Sequence, residues 1–201
     1  MKLLIVSASQ RPGSQSARVA GYLSEHASQF SEIQHVELCR YDLPFWDGDR
    51  NSAALQASDW HKLDPLVKQA DALVLITPEW GGMASPMLKN FLLLCDNQAT
   101  AHKSALLVAV TSGISGAYPI AELKMNALKN NKLVPIPDHL IIRNVEQVLG
   151  DGEIDAREQG LRERIDYSLH MLGQYADALG AIRLRHREQT YPKQQEYQYG
   201  M

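Results

Sequence analysis

The chain has 201 residues, 45% hydrophobic and 21% charged, with a formal net charge of −3. That length favours one domain with a buried core, and the near-neutral balance argues against nucleic acid or an anionic membrane as a partner. No apolar run approaches the roughly 20 residues that span a bilayer, and Met1 leads directly into a strand pattern, so a cytoplasmic protein is expected. Cys39 and Cys95 match no metal or redox spacing and read as small buried hydrophobes. The histidines show no ligand pair at helical or loop spacing, so no metal site is expected.

Leu3, Leu4, Ile5 and Val6 form a continuous apolar run, as in a strand buried on both faces. The next segment, Ala8-Ser9-Gln10-Arg11-Pro12-Gly13-Ser14-Gln15-Ser16, is small and polar. Ala20, Leu23, Ala27 and Phe30 then recur at helical steps. A hydroxyl-rich loop carrying one Arg thus joins a central strand to a helix N-terminus. The unpaired N–H groups and partial positive charge of such an end suit a phosphate. A strand-to-helix turn with Ser caps would look much the same. Neither the G-x-G-x-x-G fingerprint nor a Walker loop is present.

Residues 33–38 alternate in polarity and predict a second strand. The segment 41–49 breaks regular structure, and its aromatics are expected to pack on the core or face a partner subunit. Residues 59–69 predict a helix, with Pro65 better suited to a helix start. Residues 72–77 form the third and most apolar strand. Pro78-Glu79-Trp80-Gly81-Gly82-Met83-Ala84-Ser85-Pro86 follows, a loop whose paired glycines allow close backbone approach to a ligand and whose Trp80 offers a flat surface. A turn whose Trp merely packs is the plainer alternative. Leu88, Phe91, Leu92 and Cys95 then mark one helix face.

Residues 105–111 predict the fourth strand, which runs into a third Gly/Ser loop, Ser112-Gly113-Ile114-Ser115-Gly116-Ala117. A helix with Ile120, Leu123 and Leu128 inward comes next, and then a fifth strand near Pro135 and Pro137, spanning Leu133-Val134 and Leu140-Ile141-Ile142. Asp151-Gly152 signals a turn, and Asp155-Ala156-Arg157-Glu158 has the form of a capping box. Leu161, Ile165, Leu169, Leu172, Ala176 and Leu179 form a long helical stripe behind it. From Arg183 the chain turns polar, so residues 1–182 are expected to form the domain and 183–201 a C-terminal tail or subunit-contact arm. Arg183, Arg185 and Arg187 read as a solvated face, with an anionic partner as the alternative.

Strands alternating with helices predict an α/β fold, a doubly wound five-stranded parallel sheet with helices on both faces. In the order 2-1-3-4-5, strands one, three and four are neighbours, so the three unusual loops converge at one end, where such sheets bind ligands. Flavodoxin has this order and binds FMN there. One phosphate loop, two Gly-rich loops and a Trp suit a phosphorylated planar ligand.

These loops carry a resemblance to the NAD(P)H-dependent FMN reductase family, flavodoxin-like proteins that include quinone, azo-dye and chromate reductases. Of that family's G-S-x-R-x-x-S-x-N/T loop, Ser9, Arg11 and Ser14 match, with Ser16 in place of Asn or Thr. Of P-E-Y-N-G-S-x-P/S-G-x-L-K-N, Pro78, Glu79, Gly82 and Leu88-Lys89-Asn90 match, and Trp80 keeps an aromatic. Gly81 stands where Asn is usual and Met83 where Ser is usual. Ser112, Gly113 and Gly116 partly match S-x-G-x-x-G-G, and Asp42-Leu43-Pro44 resembles a D-L-P segment. The resemblance covers residues 2–145. It implies a bound FMN that accepts hydride from NADPH or NADH and passes electrons to a small acceptor such as free flavin, a quinone, an azo compound or a metal oxyanion. An FMN-binding electron carrier or sensor without NAD(P)H turnover is the alternative. By motif position, Ser9, Arg11, Ser14, Gln15 and Ser16 would hold the phosphate. Pro78, Glu79, Trp80, Gly81 and Gly82 would line the flavin edge, and Ser112, Gly113 and Gly116 the other side. The cofactor carries the chemistry, so no catalytic side chain is nominated. The resemblance also implies a homodimer or homotetramer, in which Trp46 or Tyr118 would cap a neighbour's site.

Overall fold

The computed structural model describes residues 1–150, 152 and 154–193. Their order is β1 (Lys2–Ser7), α1 (Gln15–His26), β2 (Glu32–Glu37), α2 (Ala53–Ala57), α3 (Trp60–Gln69), β3 (Ala72–Trp80), β4 (Met83–Ala84), α4 (Pro86–Leu94), α5 (Asn97–Thr100), β5 (Ser104–Val110), α6 (Ala117–Glu122), β6 (Val134–Ile142) and α7 (Ala156–Glu188). The parallel strands run β2-β1-β3-β5-β6, and β4 pairs antiparallel with the end of β3. Without that hairpin strand this is the expected 2-1-3-4-5 order, with helices on both faces.

Side chains on β1, β3 and β5 alternate between two cores, as the period of two requires. Leu4, Val6, Leu73, Leu75 and Leu107 face α3, α4 and the α6 side, with Trp60, Leu88, Phe91 and Leu123. Leu3, Ile5, Val74, Ile76 and Val108 face α1 and α7, with Val19, Leu23, Ile165, Leu169 and Leu172. Both faces are buried, so these strands read as unbroken apolar runs. β6 lies at the sheet edge, where Pro135 and Pro137 are tolerated because part of the backbone needs no ladder partner. Its register against β5 shifts between Ala105 and Leu107.

One local expectation changes, and two are filled in. Pro65 lies inside α3 rather than at its start. In the segment 41–49, Tyr41, Leu43 and Trp46 pack against the core while Phe45 is exposed. Finally, α7 runs past the point where the chain turns polar, to Glu188. The Arg183 guanidinium donates to Asp71 Oδ1 and to the His102 carbonyl, both at 3.0 Å, and so ties the helix to the base of the sheet. Residues 194–201 of the expected tail, and Asp151 of the expected turn, lie outside the described residues. At the other end of α7 the Asp155 carboxylate accepts from Glu158 N at 2.7 Å, as a cap should. Glu158 does not complete a reciprocal box; its carboxylate accepts from Leu149 N and Arg162.

Lys103 is 5% exposed, and its ammonium donates to the Val67 and Lys68 carbonyls at 2.7 and 2.9 Å. Burial, and then the nearby Arg183 charge, bring its pKa down to about 8. Its unfolded value is about 10.4, so between pH 8 and that value the unfolded chain holds the extra proton. Stability attributable to this group therefore rises with pH across that window, by about 3 kcal/mol in all. Denaturant titrations of the wild type and Lys103→Met from pH 7.5 to 10.5 are expected to show the difference between the two growing by this amount. The two hydrogen bonds lost in the variant add an offset that pH does not change. Parallel curves would mean that Lys103 is neutral, or freely hydrated, throughout.

Candidate functional site

The loops after β1, β3 and β5 meet at the C-terminal edge of the sheet. Ser14 caps α1, its hydroxyl accepting from Ala17 N at 3.2 Å. This leaves the N–H groups of Gln15 and Ser16 as helix-end donors aimed out of the first turn. Ser9 Oγ accepts from Arg11 N at 3.2 Å, which folds the loop back on itself. Ser9 and Ser16 are buried, whereas the Arg11 side chain is exposed. At the end of β1, Ser7 Oγ lies 2.9 Å from Nε2 of His35, whose pKa is lowered by burial. A neutral imidazole thus braces the strand from which the loop springs.

β3 continues through Pro78 and Glu79 to Trp80 and turns at Gly81-Gly82 into β4. Both glycines have positive φ, +58° and +76°, as a two-residue hairpin turn requires. The guanidinium carbon of Arg11 lies 5.5 Å from the centre of the Trp80 ring, so a cation–π contact bridges the first two loops. The third loop is joined to the second by a hydrogen bond from Ser115 Oγ to Glu79 Oε2.

A cleft of about 220 Å³ lies between these loops. Ser9, Arg11, Ser14, Gln15 and Ser16 line one part of it, Pro78, Glu79 and Trp80 another, and Ser112 and Gly113 a third. Gly81, Gly82 and Gly116 are not among its lining residues. The glycine pair makes the hairpin turn. Gly116 is the N-cap of α6 at φ +105°, where a Cβ would lie 2.3 Å from Ile141 Cγ2. Gln15 is partly committed, since its side-chain oxygen accepts from Arg18 Nε at 2.7 Å.

The sequence reading missed a fourth wall, the turn after β6, which contributes Val145 and Glu146 to the cleft. Several contacts pin this turn. Asn144 N donates to Gly113 O at 3.1 Å and Val145 N to Thr111 O at 3.2 Å. Arg143 Nε donates to the carbonyls of Ile114 and Ser115 at 2.6 and 2.9 Å. Arg18 donates to the carbonyls of Val145 and Leu149. Ser112 Oγ lies 3.3 Å from Glu146 Oε1. The available signal was Asn144, a residue type that tolerates left-handed backbone, here at φ +47° two residues after the end of a strand.

The cleft therefore has two chemical halves. One offers hydroxyls, helix-end N–H groups and a guanidinium, a donor set for a phosphate. The other offers the carboxylates of Glu79 and Glu146 as acceptors for hydroxyl or N–H groups, beside the Trp80 ring. A phosphomonoester that also carries hydroxyls and a planar heterocycle meets both halves, and FMN is such a molecule. Among the described residues no group of three or more His, Cys, Asp or Glu is placed to hold a metal, and no helix is long and apolar enough to cross a membrane.

Residues 1–147 match the family described as NADPH-dependent FMN reductase. An NADPH azoreductase of Bacillus sp. (strain OY1-2) is 30% identical over 154 residues, 77% of this chain and 82% of the relative. Two solved structures share the fold at 16% identity, each aligned over 88% of this chain and 97% of its own. One is an oxidoreductase from Corynebacterium diphtheriae, with a TM-score of 0.70, and the other is FerB, the flavoenzyme NAD(P)H:(acceptor) oxidoreductase of Paracoccus denitrificans, with a TM-score of 0.66. The donor set of the cleft, the order of the sheet and these matches agree: the chain belongs to the NADPH-dependent FMN reductase family and is an NAD(P)H-dependent flavin oxidoreductase.

Proposed function

We propose that this cleft is the FMN site, and that the enzyme reduces small acceptors such as free flavins, quinones or azo compounds at the expense of NAD(P)H. The observation that carries the reading is the meeting of Ser9, Arg11, Ser14, Ser16 and the α1 N-terminus with Glu79 and Trp80 in one cleft. When bound, FMN supplies the hydride and electron chemistry that the side chains lack. The residues bind and orient. Ser9, Ser14, Ser16 and Arg11 neutralise and hydrogen-bond the phosphate. Glu79 and Glu146 accept hydroxyl or N–H groups at the other half, which sets the direction in which the molecule lies. Trp80 shields one side of the cleft from water.

A cleft of about 220 Å³ is smaller than the roughly 300–1,000 Å³ that encloses a drug-sized ligand, so part of a molecule the size of FMN is left accessible to a second reactant. Transfer from a nicotinamide and then to an acceptor needs such access. The relative named as an azoreductase favours azo compounds among the acceptors. The exposed Ile114, Tyr118 and Met83 near the cleft favour a homodimer or homotetramer, and a cytoplasmic location accords with the sequence.

The test is a visible spectrum after adding FMN and desalting, followed by anaerobic NADPH or NADH. Retained yellow colour that bleaches with a nucleotide, and returns when an azo dye or quinone is added, is the expected result. Retained flavin that stays oxidised would identify an electron carrier instead. No retained flavin, together with no NAD(P)H oxidation in excess FMN, would sink the assignment.

A further inference from the structure

A second cleft, of about 730 Å³, opens at the opposite end of the sheet, beside the residues that precede β3 and β5. Lys68 at the end of α3, Lys103 at the start of β5, and Arg183 and Arg187 on α7 line it, together with Asp71 and Asp96. Four cations against two carboxylates is an excess of positive charge in a chain whose net charge is −3. Both carboxylates are already engaged in the fold. Asp71 accepts from Lys2 N and from Arg183, and Asp96 caps α5 by accepting from Gln98 N. Lys68 pairs with Asp64 at 2.6 Å. Among the described residues neither Lys103 nor Arg187 makes an ion pair.

The surroundings sharpen this asymmetry. His102 and His186, each the chain neighbour of a lining residue, stack edge to face with ring centres 4.9 Å apart. His102 is held below its ordinary pKa by burial, and then by its neighbours His186, Lys132 and Arg183. Lys103 is buried with two of its three N–H donors on the Val67 and Lys68 carbonyls. An anion in the cleft would give it a counter-ion. On α7, Arg183 and Arg187 stand four residues apart and share a face, which is the one turned to the cleft. Arg185 lies outside it and donates to the Ala181 carbonyl. The arginines that read in sequence as one solvated run are therefore divided by the helix into two that line a concavity and one that does not.

We propose that this cleft is a second ligand site, separate from the flavin cleft, for a small polyphosphorylated molecule of about nucleotide size, bound by Lys68, Lys103, Arg183 and Arg187. Arg presents a fork that matches phosphate oxygens, and Lys adds a compact charge. The volume lies within the range of small-molecule sites, and the concave shape with a negative overall charge favours a compact polyanion over nucleic acid.

Titration calorimetry of the FMN-loaded protein with inorganic tripolyphosphate tests it, since the flavin cleft is then filled. One molecule is expected to bind per chain, with affinity falling as KCl is raised. Arg187→Glu and Lys68→Glu, both at surface positions, are each expected to weaken binding at least ten-fold. Arg185→Glu is expected to leave it unchanged, and the bound FMN is expected to stay in place as tripolyphosphate is added. Absence of binding would overturn the proposal. So would an equal loss in Arg185→Glu, which would mean a diffuse field, or release of FMN into solution as tripolyphosphate is added, which would mean binding in the flavin cleft.

Discussion

Gly116→Ala is expected to lower the stability of the protein by about 3 kcal/mol and its Tm by roughly 6–12 °C in thermal unfolding followed by circular dichroism. Two costs add. At φ +105° the backbone is one that L side chains rarely adopt, and a Cβ there would lie 2.3 Å from Ile141 Cγ2. Ile141 is β-branched and sits on β6, so the methyl it presents cannot swing aside without moving a strand. Gly113 is the internal control. It belongs to the same loop, has no positive φ, and a Cβ there would meet nothing within 4 Å. Gly113→Ala is expected to leave Tm within a degree or two. Equal melting temperatures for the two variants would show that the α6 N-terminus can move, and that the loop is not held where β6 meets it.

Gly116 also shows what sequence reasoning could and could not reach. The three loops were legible because each follows an apolar run and carries Ser, Gly or Trp where a strand would carry Val or Ile. Alternation of strands and helices then fixes which end of the sheet they share. Ser9, Arg11, Ser14, Glu79, Trp80 and Gly113 follow directly, since each belongs to a loop that the topology must bring to that end. A glycine, however, serves backbone geometry as readily as a ligand, and sequence alone does not separate the two. At Gly81-Gly82 the geometry served is a hairpin turn, and at Gly116 it is a helix start packed on Ile141.

Glu146 escaped for a different reason. It belongs to a short turn after an edge strand interrupted by two prolines, with no glycine and no repeat of serines to mark it. Its place in the cleft depends on long-range ties, Arg18 to Val145 and Leu149, and Arg143 to Ile114 and Ser115. The length of α7 was hidden in the same way. Its last turns are polar, and they are helical because Arg183 reaches Asp71 and His102 across the base of the sheet. Periodicity records what a helix buries; it does not record an ion pair between residues 112 positions apart.

Arg11→Ala is expected to weaken FMN binding about 10- to 100-fold while changing the affinity for riboflavin less than about three-fold. The expectation rests on charge. Arg11 is the cation among the residues lining the proposed flavin cleft, which also carries the carboxylates of Glu79 and Glu146. A phosphate that enters without Arg11 meets hydroxyls and helix-end N–H groups but no full positive charge. A hydrogen bond to a charged group contributes about 1.5–3 kcal/mol, near the lower figure for an exposed guanidinium such as this one. Riboflavin lacks the phosphate and so has nothing to lose by the same route. Arg11 also stands 5.5 Å over Trp80, a contact worth roughly 0.5–1 kcal/mol at exposed sites, and its loss would loosen the wall against both flavins alike. The ratio of the two affinities therefore separates the roles, and Trp80→Phe supplies the complement by shifting both ligands together. Arg11→Lys keeps the charge but not the fork, and falls between wild type and alanine if the phosphate is held by paired donors. Fluorescence quenching titrations with each flavin give all of these numbers. An equal loss for FMN and riboflavin in Arg11→Ala would mean that Arg11 acts through Trp80, and that the phosphate is bound by Ser9, Ser14, Ser16 and the α1 N-terminus alone.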